Sequence, residues 1–247
     1  MDDNTEFTIK KLQDLEKRSY NNNTFEFSDF LTIAEASEFR KVSRSGEFFG
    51  GYDMAERRVI RFGDPEELGY EVPYPIDCVK ISPVSEKFSS AVTHRDFLGA
   101  VMNLGVDRRV FGDILVKDKG AYMFCLEHIT EYLCDNLVSV GRNQVHVEKA
   151  EFPAETFENN KEKITIQVSS PRADAIIAHV CHLSRGNVGP YFARQYVQLN
   201  GALLERPDKL LKDGDIFSVR GFGKFIVGET TGQSKKGKDN IIVFKYC

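Results

Sequence analysis

The chain has 247 residues, 41% of them hydrophobic and 28% charged, and its formal net charge is −4. This composition is that of a soluble globular protein, and the length predicts two or three domains. No apolar run approaches the roughly 18 to 20 residues of a membrane-spanning helix, which excludes that class of protein.

Cysteine usage and the first residues both indicate the compartment. The five cysteines are scattered and form no C-x-x-C pair, which argues against a disulfide framework and against a zinc ribbon. The first residues contain no apolar export signal. We therefore expect a cytoplasmic protein with no membrane partner.

The charge is unevenly distributed along the chain. From Arg172 to the C-terminus, 12 Lys and Arg stand against 7 Asp and Glu, a net charge of +5. The remaining 21 basic and 30 acidic residues give −9. A basic C-terminal third on an acidic body predicts a domain that meets polyanions, although a margin this small also arises by chance.

Residues 1–75 are predicted to form a mainly helical domain with one short sheet-like element. Ser28 is the expected cap of a helix through residues 29–42, where apolar residues form a stripe. Gly50 and Gly51 indicate a tight backbone site, and the RVIRF segment at residues 58–62 is typical of a strand.

Residues 76–151 alternate in the order β-α-β-β-α-β, which predicts a ferredoxin-like domain. Its first helix has Thr93 as the expected cap and Asp96 at the third position, as in a capping box, with Gly105 after it. A hairpin is expected at residues 117–120. Many proteins with other functions share this order, so it decides little about function.

Residues 152–163 are polar and are predicted to be a linker, followed by a strand and a compact α-α-β unit over residues 164–247. Ser170-Pro171 has the signature of a helix start, and Gly189-Pro190 predicts a second one. Asn200-Gly201 and Asp213-Gly214 are turn pairs beside strands. The fold class predicted for the whole chain is therefore α+β.

The C-terminal unit is expected to present a group of cations. Arg185 lies at the start of the second helix, where backbone N–H groups favour an anion. Gly221 and Gly223 allow the hairpin to bend, which would leave Arg220 and Lys224 free to reach phosphate. The five cations that could line one side are Arg172, Arg194, Lys209, Arg220 and Lys224. The alternative is that they are ordinary solvated charges.

These residues carry a resemblance to a known family. The segment resembles the S4 RNA-binding domain, of the αL-type α-α-β layout, in its R-x-D helix start, its S-R before the second helix, its V-x-x-N-G strand end and its L-x-x-G-D turn. With the upstream FFGGYDMAERR and THRDFLGAVMNLGVDRRVFGDILV segments, nearly the whole chain resembles the YlmH family of bacterial S4-domain proteins. One departure is Gln195-Tyr196, where the family usually has Gly.

The resemblance implies RNA binding without catalysis, on the large ribosomal subunit, in ribosome-associated quality control. It implies ribosomal RNA as the ligand, with tRNA as a further candidate, and neither cofactor, metal nor DNA. The residues that it implies for RNA binding are Arg172, Ser184, Arg185, Asn187, Arg194, Asn200, Lys209, Arg220 and Lys224. His94 and Arg95 are candidates for a secondary RNA contact.

Three other classes of protein were considered. The HRD sequence at residues 94–96 is not a kinase loop, because that motif needs Asn where Val101 stands. An RNA-modifying enzyme would need a catalytic Asp in its own sequence context or a Gly-rich cofactor loop, and this chain has neither. His179 and His182 are too few to bind a metal. The alternatives are an adaptor linked to cell division, whose basic face meets an acidic protein, and, as the weaker one, an RNA-modifying enzyme that carries an S4 domain.

Overall fold

The computed structural model describes residues 3–158, 161–233 and 237–246, and the chain divides into two compact units, Met1–Phe152 and Pro153–Cys247. Residues 1–75 and 76–151, for which the sequence predicted separate domains, both belong to the first unit. Each unit is described by itself below.

The first unit opens with helices around a small sheet. Its elements are α1 (Asp3–Asn22), β1 (Glu26–Phe27), α2 (Ile33–Val42), β2 (Glu47–Phe49), β3 (Val59–Phe62) and α3 (Pro65–Leu68). The three strands pair antiparallel in the order β1-β3-β2. Apolar side chains of α1, α2 and β3 form one core cluster, which includes Leu12, Phe39, Ile60 and Phe62.

The predicted cap of α2 is wrong. Thr32 is the cap, and Glu35 closes the capping box by accepting from the Thr32 N–H at 2.7 Å. Ser28 is instead buried, donating to the Asp29 carbonyl and accepting from the Ile60 N–H. The residues between cannot be helical, because Leu31 pairs with Arg58 in an isolated β-bridge.

The rest of the first unit has the predicted element order β-α-β-β-α-β, with one additional short strand before the last one. Its elements are β4 (Ile76–Pro83), α4 (His94–Met102), β5 (Phe111–Lys117), β6 (Gly120–Leu126), α5 (Thr130–Asn136), β7 (Ser139–Val140) and β8 (Asn143–Lys149). The antiparallel sheet has the strand order β5-β6-β4-β8-β7. The capping box at Thr93 and Asp96 and the hairpin turn at Asp118-Lys119 are as predicted.

The two faces of this sheet are covered by different parts of the chain. On one face, α4 and α5 bury a core that includes Val79, Phe97, Met123 and Leu133. On the other face, N-terminal residues such as Phe30 and Val59 pack against Cys78, Phe124 and Leu126. The predicted tight site is confirmed, since a side chain at Gly51 would collide with the Phe124 ring. Residues 1–75 therefore share a core with the sheet.

A carboxylate of β5 anchors the loop between β2 and β3. Asp113 accepts hydrogen bonds from the Tyr52 hydroxyl at 3.0 Å, the Glu56 N–H at 2.7 Å and the Arg57 N–H at 3.1 Å. The Arg57 guanidinium donates to the carbonyls of Phe111 and Phe30 at 2.8 and 3.0 Å. Burial, together with Asp113, raises the pKa of Tyr52, so that phenol remains a donor.

The second unit is a six-stranded sheet with two helices packed on it. Its elements are α6 (Ala154–Glu158), β9 (Lys161–Val168), α7 (Ala173–Val180), α8 (Arg185–Ala193), β10 (Val197–Leu199), β11 (Ala202–Leu203), β12 (Ile216–Val219), β13 (Gly223–Gln233) and β14 (Asp239–Tyr246). The strand order is β11-β10-β12-β13-β14-β9. The predicted linker, residues 152–163, therefore contains α6 and the first residues of β9.

Both predicted helix starts in this unit are wrong. Arg172, rather than Ser170, holds the cap position of α7, because the loop after β11 pairs there: the Ala173 N–H donates to the Lys209 carbonyl at 2.8 Å. Ser184 holds the cap position of α8, so Pro190 lies inside that helix. His182 lies beyond α7 with a φ of 52°, and it does not share a helical face with His179.

Candidate nucleic-acid interface

One end of the second unit brings cations beside three partly buried aromatic rings, Tyr191, Tyr196 and Phe222. We call these rings the aromatic platform. The Tyr191 ring centre lies 5.7 Å from that of Phe222 and 6.3 Å from that of Tyr196, both with edge-on geometry. Tyr191 and Phe222 pack against the core of the unit as well.

Arg220 is attached to this platform twice. Its backbone N–H donates to the Tyr196 carbonyl at 2.9 Å, and its guanidinium carbon lies 4.7 Å from the centre of the Tyr196 ring. The side chain is nevertheless exposed. A cation over an aromatic face is attracted by the ring quadrupole. Arg220 is thus restrained without being buried.

The turn that presents Arg220 depends on two glycines. Val219 and Gly223 are paired across the hairpin, so that the loop has three residues. Gly221 and Gly223 have φ values of +90° and +109°, which side chains rarely adopt. The prediction that these glycines allow the bend is confirmed. Lys224 follows immediately, opposite Ser218.

A further predicted contact lies nearby along the chain. Arg194 directly follows α8, is exposed, and precedes Tyr196 by two residues. Tyr196 itself was not among the predicted site residues. The signal was present, because the aromatic residue stands where the S4 pattern usually has Gly, directly before β10, whose first residue Val197 lies opposite Val219, the neighbour of Arg220.

A second group of cations lies at the start of α7, and carboxylates pair with two of its members. Arg172 donates from Nε and Nη2 to the Asp174 carboxylate at 3.0 and 2.8 Å, and this pairing raises the pKa of Arg172. Arg206 makes a similar pair with Asp208. Lys209 is exposed in the same loop. Asp174 therefore offsets part of the charge of Arg172, and the contact of Arg172 with RNA stays a prediction.

The structure gives Asn200 a role within the fold. Its Nδ2 donates to Asp215 Oδ1 at 2.9 Å, and its Oδ1 accepts from the Ile216 N–H at 2.9 Å. Asp215 Oδ2 in turn accepts from the Lys212 N–H at 2.8 Å. The side chain joins the Asn200-Gly201 turn to the Gly214-Asp215 turn, so its contact with RNA stays a prediction.

The start of α8 holds three more predicted contacts. Ser184 occupies the cap position, and Asn187 is exposed in the first turn. Arg185 is the first residue of the helix, but its side chain lies outside the described residues. These three contacts therefore stay predictions.

The two candidates for a secondary contact lie in the first unit. His94 and Arg95 are the first residues of α4, and both are exposed. Arg95 borders an open groove of about 400 Å³ between α4 and the residues at and after the end of α5. This places one of the two beside a concave surface.

Comparisons with known proteins place the chain in a family. Residues 71–154 match a family model described as "Putative RNA-binding domain in YlmH". Over 224 residues the chain is 32% identical to the ribosome-associated protein quality control protein P2 of Bacillus subtilis, covering 85% of this chain and 83% of that protein. The chain belongs to the YlmH family.

The residues that match the YlmH family model and the residues of the aromatic platform lie in different units. The matched residues contain β4 to β8, whereas the aromatic platform lies C-terminal to them.

A solved structure described as the cell division protein ylmH from Streptococcus pneumoniae is 21% identical, with a TM-score of 0.49, covering 63% of this chain and 96% of that one. Among the described residues, no helix could span a membrane and no group of His, Cys, Asp and Glu could hold a metal ion.

Proposed function

We propose that this protein binds structured RNA on the large ribosomal subunit and acts there without a chemical step of its own. Ribosomal RNA is the proposed ligand, with tRNA as a second one, and ribosome-associated quality control in the cytoplasm is the proposed role. The family model described for RNA binding and the name of the Bacillus relative support this proposal. The observation that carries it is Arg220 over Tyr196, with Arg194 two residues before Tyr196 and Lys224 opposite Ser218 in the strand after the Arg220 turn.

The proposal includes the class of each domain. We assign residues 76–151 to the ferredoxin-like class, since β5, β6, β4 and β8 are neighbours in that order with two helices on one face. We assign residues 164–247 to the S4 class. The link from Asn200 to Asp215 supports the second assignment, because it joins the N-G and G-D elements of the S4 pattern.

Restraint of Arg220 is what makes the platform suitable for phosphate. A long side chain loses rotamer freedom on binding, which costs about 0.5–1.5 kcal/mol at an interface. The ring of Tyr196 removes part of that freedom beforehand. The planar guanidinium can then donate two hydrogen bonds to one phosphate, which an ammonium cannot do in the same way.

Co-sedimentation with large ribosomal subunits tests the proposal. The double variant Arg194→Ala/Arg220→Ala should sediment with the subunits at least 10-fold less than the wild type. Arg206→Ala is the matched control, because Asp208 already offsets its charge, and it should sediment as the wild type does. RNase treatment should release the wild type. Binding that survives RNase, or a double variant that sediments normally, would reject the proposal and favour an acidic protein partner.

A further inference from the structure

A groove on the helical side of the first unit has no role in the function proposed so far. Its volume is about 400 Å³, within the roughly 300–1,000 Å³ of pockets that take small ligands. We call it the α4 groove. Its walls are residues of α4 between Arg95 and Ala100 and the two residues that follow the helix, together with residues 136–139 and 141 at and after the end of α5.

Gly99 leaves the floor of the α4 groove open. It lies inside α4, where glycine destabilises a helix by about 1 kcal/mol relative to alanine. A Cβ atom added at Gly99 would meet nothing within 4 Å. Neither backbone conformation nor packing against the described residues therefore requires glycine here, and the absence of a side chain leaves room for a ligand beside the helix.

The lining of the α4 groove suits a nucleotide. Arg95 supplies a cation, and the exposed side chains of Asn103, Asn136 and Ser139 supply amide and hydroxyl groups. Val138, 64% exposed, offers an apolar surface to the face of a base. Unstacked bases are recognised by such hydrogen bonds to their edges together with packing on their faces.

The groove also contains a carboxylate, Asp96, whose pKa is lowered by its hydrogen bonds to Thr93 and, to a smaller extent, by Arg95, so that it offsets part of the Arg95 charge. Asp96 Oδ2 accepts from the Thr93 N–H at 2.8 Å and from the Thr93 hydroxyl at 2.7 Å. These bonds hold the carboxylate at the N-terminal end of α4, where it closes the capping box. Asn136 is similarly held, because its Nδ2 donates to the Tyr132 carbonyl at 2.8 Å.

The opposite side of the domain is a poorer place for a base. RNA-binding modules built on a four-stranded sheet stack bases on aromatic residues of the open sheet face. Here the aromatic residue Phe124 is 2% exposed, with Cys78 and Leu126 beside it, because Phe30 and Val59 cover that part of the sheet. The concave surface on the helical side is open.

We infer that the α4 groove binds one unstacked nucleotide of single-stranded RNA, with Arg95 at its phosphate and Asn103 and Asn136 at the edge of its base. The inference rests on the proposed function and adds a second RNA site in the other unit. The groove then recognises single strands, whereas the aromatic platform recognises structured RNA.

Crosslinking and affinity of the full-length protein test this. The probe is a 12-nucleotide single-stranded RNA of mixed sequence that carries 4-thiouridine. Ultraviolet irradiation should crosslink it within residues 95–104 or 136–141. Gly99→Leu, which fills the groove, and Arg95→Ala should each weaken binding of this RNA at least 5-fold and abolish those crosslinks. Arg44→Ala, an exposed arginine of the same unit outside the groove, should change the affinity less than 2-fold.

The outcomes separate this inference from the proposed function. Wild-type crosslinks confined to residues 184–224, or groove variants that bind like the wild type, would overturn the groove site and leave the platform standing. A wild type that binds neither this RNA nor large subunits would overturn both. Circular dichroism checks folding, and Arg95→Ala keeps the test decisive if Gly99→Leu does not fold.

Discussion

The guanidinium of Arg220 lies over the ring of Tyr196. Tyr196 directly precedes β10, and Arg220 directly follows β12. The two residues flank neighbouring antiparallel strands and are held together by their pairing, in which Val197 is opposite Val219. Their contact therefore depends on strand register, and a shift of one residue would send Arg220 to the other face of the sheet.

We expect Arg220→Ala to weaken binding of a ribosomal RNA hairpin and to make that binding less dependent on salt. Each lost phosphate contact reduces the slope of log affinity against log salt concentration by about 0.7–0.9. Fluorescence anisotropy between 50 and 200 mM salt measures both quantities. Arg220→Lys should keep the slope but lose affinity, because an ammonium cannot bind phosphate through two parallel N–H bonds.

The ring under Arg220 gives a second variant for the same measurement. Tyr196→Leu retains the charge and removes the aromatic face, so we expect a weaker affinity at an unchanged salt slope. Tyr196→Phe should bind like the wild type. If Tyr196→Leu also bound like the wild type, the ring would not prepare Arg220 for RNA.

We expect Asn200→Ala to lower the free energy of unfolding of the second unit by about 1–2 kcal/mol. The change removes hydrogen bonds to Asp215 and Ile216, each of which is worth about 0.5–1.5 kcal/mol at a neutral partner and more at a charged one. It also replaces a residue whose φ is 50°. Urea denaturation provides the measurement. Asn187→Ala is the control, since Asn187 is exposed, and a surface change of this kind stays within about 0.5 kcal/mol.

We expect Asp113→Ala to destabilise the first unit by about 2–3 kcal/mol. Three donors would lose a charged acceptor, among them the partly buried Tyr52 hydroxyl. Asp113→Asn should cost less, because its amide oxygen still accepts. Asp53→Ala, an exposed change in the loop that Asp113 holds, is the control in the same urea experiment. Equal stability of Asp113→Ala and Asp53→Ala would contradict the anchoring role.

We expect Cys78, Cys125 and Cys181 to resist iodoacetamide at pH 8 in the folded protein. Burial raises the pKa of each thiol from 9.0 to about 12, so that little reactive thiolate is present. Because these folded-state values exceed those of the unfolded chain, the associated stability is present below pH 9 and is lost as the pH rises from 9 towards 12. Mass spectrometry of peptides should show labelling of all three only after unfolding in urea. Rapid labelling of the native chain would show that these thiols are accessible.

The features that the sequence predicted correctly are those with local causes. The Thr93 and Asp96 capping box, the Asp118-Lys119 turn and the Asn200-Gly201 turn each depend on residues at most three apart. Chemistry at that range is legible in a sequence because no other part of the chain decides it.

Errors arose where a distant segment decides the outcome. The start of α7 is set by carbonyls of residues 207 and 209, which no local pattern near Ser170 reveals. Ser28 resembles a helix cap, but its hydroxyl serves the Ile60 N–H across 32 positions of sequence. At the site, the exposure of Arg220 could be predicted from the glycines of its turn. The sequence also has Asp174 two residues after Arg172, but only the structure shows that the two form an ion pair.

The covering of the sheet by residues 1–75 limits how the protein can be divided for experiments. A fragment cut to the matched residues 71–154 would lose Phe30 and Val59 and leave Phe124 and Leu126 bare. Uncovered apolar surface of this kind promotes self-association. A truncation that ends at residue 152 and retains the N-terminus follows the boundary between the two units. If the fragment of residues 71–154 failed to bind RNA, the cause would be aggregation rather than the loss of a contact.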